Sequence, residues 1–267
     1  MISNSDTRID AHPGTLTDTE TDTPIDPSRV IYDAPVLIRK EALFQRLADY
    51  CRQGYHYAVS GTVPINRAPA LAYKFKTLYH VHADKNERYR RKRVGIGNAE
   101  LFLYAPDETN TDIVWVLLAT AGHISHQTER LTDVREKGGR LFVTGYEMVR
   151  LPRHGSSAPA YTWRISDEQF HTWKYRLRTL IRSRADGDLQ RAYYGLTHPP
   201  GFRAIRQQTR VLIAYAKAEW KRSRNKNEPW PIYGSIRIPY LRRIAHQTRP
   251  LTALLRKRLA DRTKDNE

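Results

Sequence analysis

Between Phe202 and Arg224 the sequence FRAIRQQTRVLIAYAKAEWKRSR sorts its cations and its apolar residues at helical spacing. At 100° per residue, Arg203, Arg206, Arg210, Lys217, Lys221 and Arg224 fall within an arc of about 60°. Phe202, Ile205, Leu212, Ile213 and Trp220 occupy a neighbouring arc of roughly 100°. Such a segment folds as one long helix that buries its apolar flank and carries a lengthwise basic stripe, about 30 Å long. Glu219 is the only acid between Arg203 and Arg224. The i,i+4 pairing that normally offsets charge on an exposed helix face is therefore nearly missing. Lys174, Arg178 and Arg182 repeat the i, i+4, i+8 arrangement on a preceding helix.

Charge is uneven along the chain. The whole carries 45 Lys plus Arg against 28 Asp plus Glu, a formal net charge of +17. Residues 171–267 hold 23 bases and 7 acids, whereas residues 1–33 hold 7 acids and 2 bases. A basic third of this density repels itself unless a polyanion neutralises it, so DNA or RNA is the expected partner, ahead of an anionic membrane surface. The longest apolar stretch, Ile113 to Ala121, is under half of what a membrane-spanning helix needs, and no basic-then-apolar leader opens the sequence. Neither membrane spanning nor secretion is expected. The single cysteine, Cys51, cannot form an internal disulfide, which fits a reducing, cytoplasmic compartment. With 40% hydrophobic residues the chain has material for a core.

Residues 1–33, rich in Thr, Asp, Pro and Ser, read as a disordered acidic tail. Leu43, Phe44, Leu47, Ala48 and Cys51 recur at helical spacing and Gly54 closes that helix. Tyr55 to Val63 reads as a strand, stopped by Pro64. A second helix starts near Pro69, with Leu71, Phe75, Leu78 and Tyr79 on one face. The run Arg88-Tyr89-Arg90-Arg91-Lys92-Arg93 reads as a solvated loop. Glu100 to Tyr104 and Asp112 to Ala119 form two strands, the second apolar on both faces and hence central. A helical stretch from His123 to Lys137 follows, then a strand pair over Leu141–Leu151 and Ala160–Ile165. Ser166-Asp167-Glu168-Gln169 starts a helix as a capping box. Ser235 to Arg262, interrupted by Pro239 and Pro250, reads as two short packed helices.

After the leading helix the order β-α-β-β-α-β-β resembles the βαββαβ arrangement of ferredoxin-like and RNA-recognition sandwiches with an added hairpin strand. The expected fold class is thus α+β: an acidic tail over 1–33, an α/β sandwich over 34–165 and an all-helical basic region over 166–267. Leu141-Phe142-Val143-Thr144-Gly145-Tyr146 resembles the aromatic strand motif of RNA-recognition folds, without its companion motif. Tyr89, Tyr175, Tyr193 and Tyr194 stand among bases, where rings can stack on unpaired nucleotides.

His80-Val81-His82 resembles the His-hydrophobic-His motif of rolling-circle replication and relaxase nucleases, over three residues of the chain. The resemblance implies a divalent metal held by His80 and His82 on a strand and a tyrosine nucleophile, for which Tyr175, Tyr193 or Tyr194 is available. The spacing before His80 is helical, and on a helix the two rings point about 200° apart. His123, His126 and Glu129 lie on one broad helical arc without a fourth ligand. Gly95-Ile96-Gly97-Asn98 lacks the third glycine of a dinucleotide fingerprint, and no phosphate-binding loop or nucleophile elbow is present.

The leading expectation is a cytoplasmic nucleic-acid-binding protein, in a bacterium or one of its mobile elements. It has no cofactor and grips phosphates through the Arg203–Arg224 stripe, Lys174, Arg178 and Arg182. A second contact is expected at Arg90, Arg91, Lys92 and Arg93. The alternatives are the metal-dependent nuclease, a ferredoxin-fold RNA-processing enzyme, and a scaffold that docks basic helices on an acidic protein.

Overall fold

A computed structural model describes residues 26–105, 112–153, 155–232, 238–245 and 247–265. The expected tail over 1–25, the turn centred on 106–111, His154 and the start of the segment at Ser235 lie outside the described residues. Among the described residues the fold is mixed α+β, with a six-stranded mixed sheet, a three-stranded antiparallel sheet and eight α-helices.

The first half runs β1 (Pro35–Leu37), α1 (Lys40–Arg52), β2 (Tyr57–Pro64), α2 (Ala68–Tyr79), α3 (Lys85–Arg93), β3 (Ala99–Tyr104) and β4 (Asp112–Ala119). A single turn, α4 (Ser125–Thr128), and a two-residue strand, β5 (Thr132–Asp133), follow. The large sheet has the order β5-β2-β4-β3-β1-β9, where β9 is Thr248–Pro250. β1 pairs parallel with β3, and the other pairings are antiparallel. β4 sits inside the sheet, as its two apolar faces predict. Val116 and Leu118 pack with α1, whereas Ile113, Leu117 and Ala119 pack on the opposite face, toward α2 and α8.

α1 is covered on both sides. Leu43, Leu47 and Ala48 share a core with Phe102 and Val116 of the large sheet, and Phe44 stacks on Trp163 of the second sheet. That sheet consists of β6 (Phe142–Val143), β7 (Tyr146–Arg153) and β8 (Ser156–Ile165) in sequence order. Hence neither Leu141–Leu151, expected as the fourth strand of the sandwich, nor the added strand at Ala160–Ile165 joins the first sheet, whose corresponding edge is β5. These segments form a separate layer on α1. The turn between β6 and β7 places Thr144 and Gly145 at φ +46° and +79°. Both values suit a two-residue hairpin, so the stretch resembling an RNA-recognition strand motif is a tight turn with Phe142 exposed.

The C-terminal region carries α5 (Asp167–Arg182), α6 (Asp186–Thr197), α7 (Arg203–Ser223) and α8 (Leu251–Asp265). Ser166 Oγ accepts from the Gln169 amide, as the capping box requires. The region is not all helical. Residues 238–245 are irregular and β9 joins the edge of the large sheet beside β1, so the expected pair of short helices is replaced by an extended segment and one helix. The proline at position 250 ends a strand here and lets α8 begin after it. Residues at the inner end of the expected tail are packed: Val30 and Tyr32 lie against the core on the α8 side, and Asp33 accepts from the Thr252 amide and hydroxyl.

Two further expectations need correction. The Arg88–Arg93 run is helical, because Asp84 accepts from the Glu87 amide at 2.8 Å and caps the helix start. His123 to Lys137 is not one helix. Its three candidate ligands are held apart by separate bonds, described below.

Candidate nucleic-acid interface

α7 is fixed by polar clamps on either side of its buried face. Gln208 donates from Nε2 to the Ile165 carbonyl at 2.9 Å and accepts from the Ile165 amide at 2.7 Å, closing the otherwise open end of β8. Glu219, 2% exposed, binds Arg182 of α5 at 2.7 Å and Arg222 at 2.6 Å. The two guanidinium groups hold its carboxyl below its ordinary range, with the Arg222 hydrogen bond the larger cause. The single acid of the helix is therefore spent on α5–α7 packing and neutralises none of the stripe.

The stripe itself divides in two. Arg203, Arg210, Lys217 and Lys221 are exposed and make no ion pair among the described residues. They fall within about 40° of one another over roughly 27 Å of helix. Arg206 and Arg224 are not part of that surface. Arg224 is buried, binds Asp186 and Glu228, and donates to the Ile181 carbonyl at 3.1 Å. Arg206 is 6% exposed and lies 3.3 Å over the Tyr240 ring. Both sit at the edge of the basic arc, next to the apolar arc, and the burial boundary runs between them and the other four.

On α5, Lys174 lies 4.9 Å over the Tyr215 ring, Arg178 is exposed and Arg182 is held by Glu219. This row follows the groove between α5 and α7, on the far flank of α7 from the exposed four. The exposed ridge between the rows carries Gln207, Val211, Ala214 and Ala218 and no acid. On α3, Arg90, Lys92 and Arg93 are exposed, and Arg93 lies 6.0 Å over the Tyr89 ring. Arg91 is turned inward, donating to the Gly97 carbonyl at 3.2 and 3.3 Å, and Arg88 pairs with Glu100 at 2.9 Å.

The nuclease residues are placed differently from what their motif requires. His80 is the left-handed C-cap of α2, with φ +50°, and His82 follows in a turn. Neither lies on a strand. Their exposed rings are 6.2 Å apart, and among the described residues no group of three side chains is arranged to hold a metal ion. Tyr175 is on the surface of α5 and makes no ring contact with either histidine; Tyr193 is buried against Trp230, and Tyr194 packs on His198. Of the other candidate ligands, His123 is buried on Ser125, His126 bonds to the Thr120 carbonyl at 3.0 Å, and Glu129 binds Tyr79 and Lys74.

Comparison of the chain with protein-family models, curated proteins and solved structures finds no match. Among the described residues no helix is long and apolar enough to cross a membrane.

Proposed function

We propose that this chain binds the phosphate backbone of DNA or RNA across α7 and α5, with the exposed end of α3 as a second contact. The observation that carries the reading is the line of Arg203, Arg210, Lys217 and Lys221, exposed and without ion pairs while the helix's one carboxylate is committed elsewhere. Mutual repulsion along such a line is relieved when each cation displaces a counterion from a polyphosphate. Contacts of this type set affinity and register and read no base. The strand order β5-β2-β4-β3 supports a ferredoxin-like reading of the first half, with its second crossover helix reduced to α4. That analogy concerns fold and adds nothing about which nucleic acid is bound. The reading requires no cofactor and suits a cytoplasmic protein.

The test is binding of fluorescent single-stranded DNA, single-stranded RNA and duplex DNA across a salt series. Affinity should fall steeply with salt, with a logarithmic slope of about 0.7–0.9 per phosphate contacted. A combined Arg203→Glu, Lys217→Glu and Lys221→Glu variant should bind more weakly and with a slope shallower by about two to three contacts. Unchanged affinity and slope in that variant, on all three probes, would refute the reading.

A further inference from the structure

The segment 238–244 is strapped across the start of α7. The Leu241 amide donates to the Gly201 carbonyl at 3.2 Å, Gln45 of α1 donates to the Arg242 carbonyl at 2.8 Å, and the Ile244 amide donates back to Gln45 at 3.0 Å. Arg243 pairs with Asp49 of the same helix. Together these bonds fix Tyr240 and Arg242 opposite Arg206 and Arg210, across a cavity of about 510 Å³ that all four side chains line.

Arg206 is the unusual member. It is 6% exposed, its Nε is buried without a hydrogen-bond partner, and no carboxylate pairs with it among the described residues. The Tyr240 ring, at 3.3 Å, attracts the guanidinium but contributes no negative charge. Arg206, by hydrogen bond and by charge, draws the Tyr240 phenol below its ordinary value. Burying a guanidinium without an anion is costly, and two more arginines at the same cavity raise the cost. Among the described residues no acid lines the cavity.

We infer that this cavity is a binding site for one phosphoryl group, held by the guanidinium groups of Arg206, Arg210 and Arg242. A planar guanidinium presents paired N–H donors that match two oxygens of a phosphoryl group. A doubly charged phosphomonoester answers three cations better than a carboxylate does. The site shares Arg210 with the nucleic-acid surface, but it stands on the burial of Arg206 and the placement of Arg242, and Arg203, Lys217 and Lys221 line no part of the cavity. Free phosphate and the terminal phosphate of a larger ligand offer the same chemistry.

The experiment is calorimetric titration of the full chain with inorganic phosphate at pH 8, with ionic strength held constant by chloride. One saturable site is expected. Arg242→Gln, which removes an exposed side chain, should weaken binding at least tenfold, and so should Arg210→Gln. Arg130→Gln, an exposed charge remote from the cavity, should leave phosphate binding unchanged. Competition with an oligonucleotide bearing a 5′-phosphate, against the same oligonucleotide with a 5′-hydroxyl, assigns the source. Displacement by the phosphorylated strand alone identifies a terminal phosphate, and displacement by neither identifies the free ion. The inference is overturned by absence of saturable phosphate binding, or by binding that Arg242→Gln and Arg210→Gln leave intact.

Discussion

The indole of Trp163 stacks on the ring of Phe44 with centroids 4.0 Å apart, and its Nε1 donates to the Phe44 main-chain carbonyl at 2.9 Å. Through this pair β8 is attached to α1, and through α1 the second sheet and the α5–α7 helices packed on it are attached to the large sheet, whereas α8 packs on that sheet directly. Trp163 is fully buried. Trp163→Ala should therefore cost about 3–5 kcal/mol, while Trp163→Phe, which keeps the stack and loses the hydrogen bond, should cost about 1–2 kcal/mol. Urea denaturation followed by far-ultraviolet circular dichroism reads both. A single transition is expected for the parent chain, because one core spans both layers.

Arg224 separates a structural arginine from a binding one. Its side chain is 3% exposed and bridges Asp186 and Glu228 beneath the end of α7. Arg224→Met should lower stability by roughly 1.5–3 kcal/mol, because Asp186 loses its partner, Glu228 keeps only Arg184, and the Ile181 carbonyl loses a donor. At a temperature where the variant remains folded, its oligonucleotide affinity and salt slope should equal those of the parent. A reduced slope would place Arg224 on the interface instead.

The parts of this fold that follow an apolar period were legible in the sequence. α1, α2, β4 and α7 each bury a stripe or alternate faces, and their spacing gives them away. α3 was missed because KNERYRRKR has no apolar stripe and no buried residue. The signal that finds it is the cap: Asp84 stands three residues before Glu87, as in a capping box. The 123–137 stretch was misread because polar residues at helical spacing here serve separate short bonds to the ends of other elements. At the candidate interface, the wheel placed Arg206 and Arg224 at the rim of the apolar arc. That rim position was the available hint that they turn inward. Nothing local in the sequence announces Tyr240 or Arg242 as partners of α7, since their placement depends on Gln45, some 200 residues earlier in the chain.

Gly201 offers a way to move the 238–244 segment without altering any charge. A Cβ on this residue would fall 2.4 Å from the Pro239 carbonyl oxygen and 2.7 Å from the Leu241 amide nitrogen. Both are backbone atoms, so Gly201→Ala must push the segment off α7. The expected cost is about 1–3 kcal/mol by thermal or urea denaturation. Phosphate affinity should fall with it, as Arg242 retreats from Arg206, while the salt slope of oligonucleotide binding set by Arg203, Lys217 and Lys221 stays the same. Loss of the slope together with the phosphate site would mean that the two surfaces are one.

His123 makes stability depend on pH over a defined window. The ring is 2% exposed, and its Nδ1 accepts from the Ser125 amide at 3.2 Å and lies 2.7 Å from the Ser125 hydroxyl. A proton on Nδ1 would face an amide N–H that has nowhere else to point. Burial, and then the positive charge of Arg91 on α3, push the imidazole pKa from 6.5 down to about 4. Between these values the unfolded chain binds a proton that the native chain refuses. The contribution of His123 is thus fully present above pH 6.5 and is lost progressively as pH falls toward 4. Urea midpoints measured from pH 4 to 7 should rise with pH across this interval. In His123→Gln, which cannot titrate, the rise should be shallower by the share of this one group. An identical pH profile in parent and variant would show that the ring takes up its proton without unfolding the loop around Ser125.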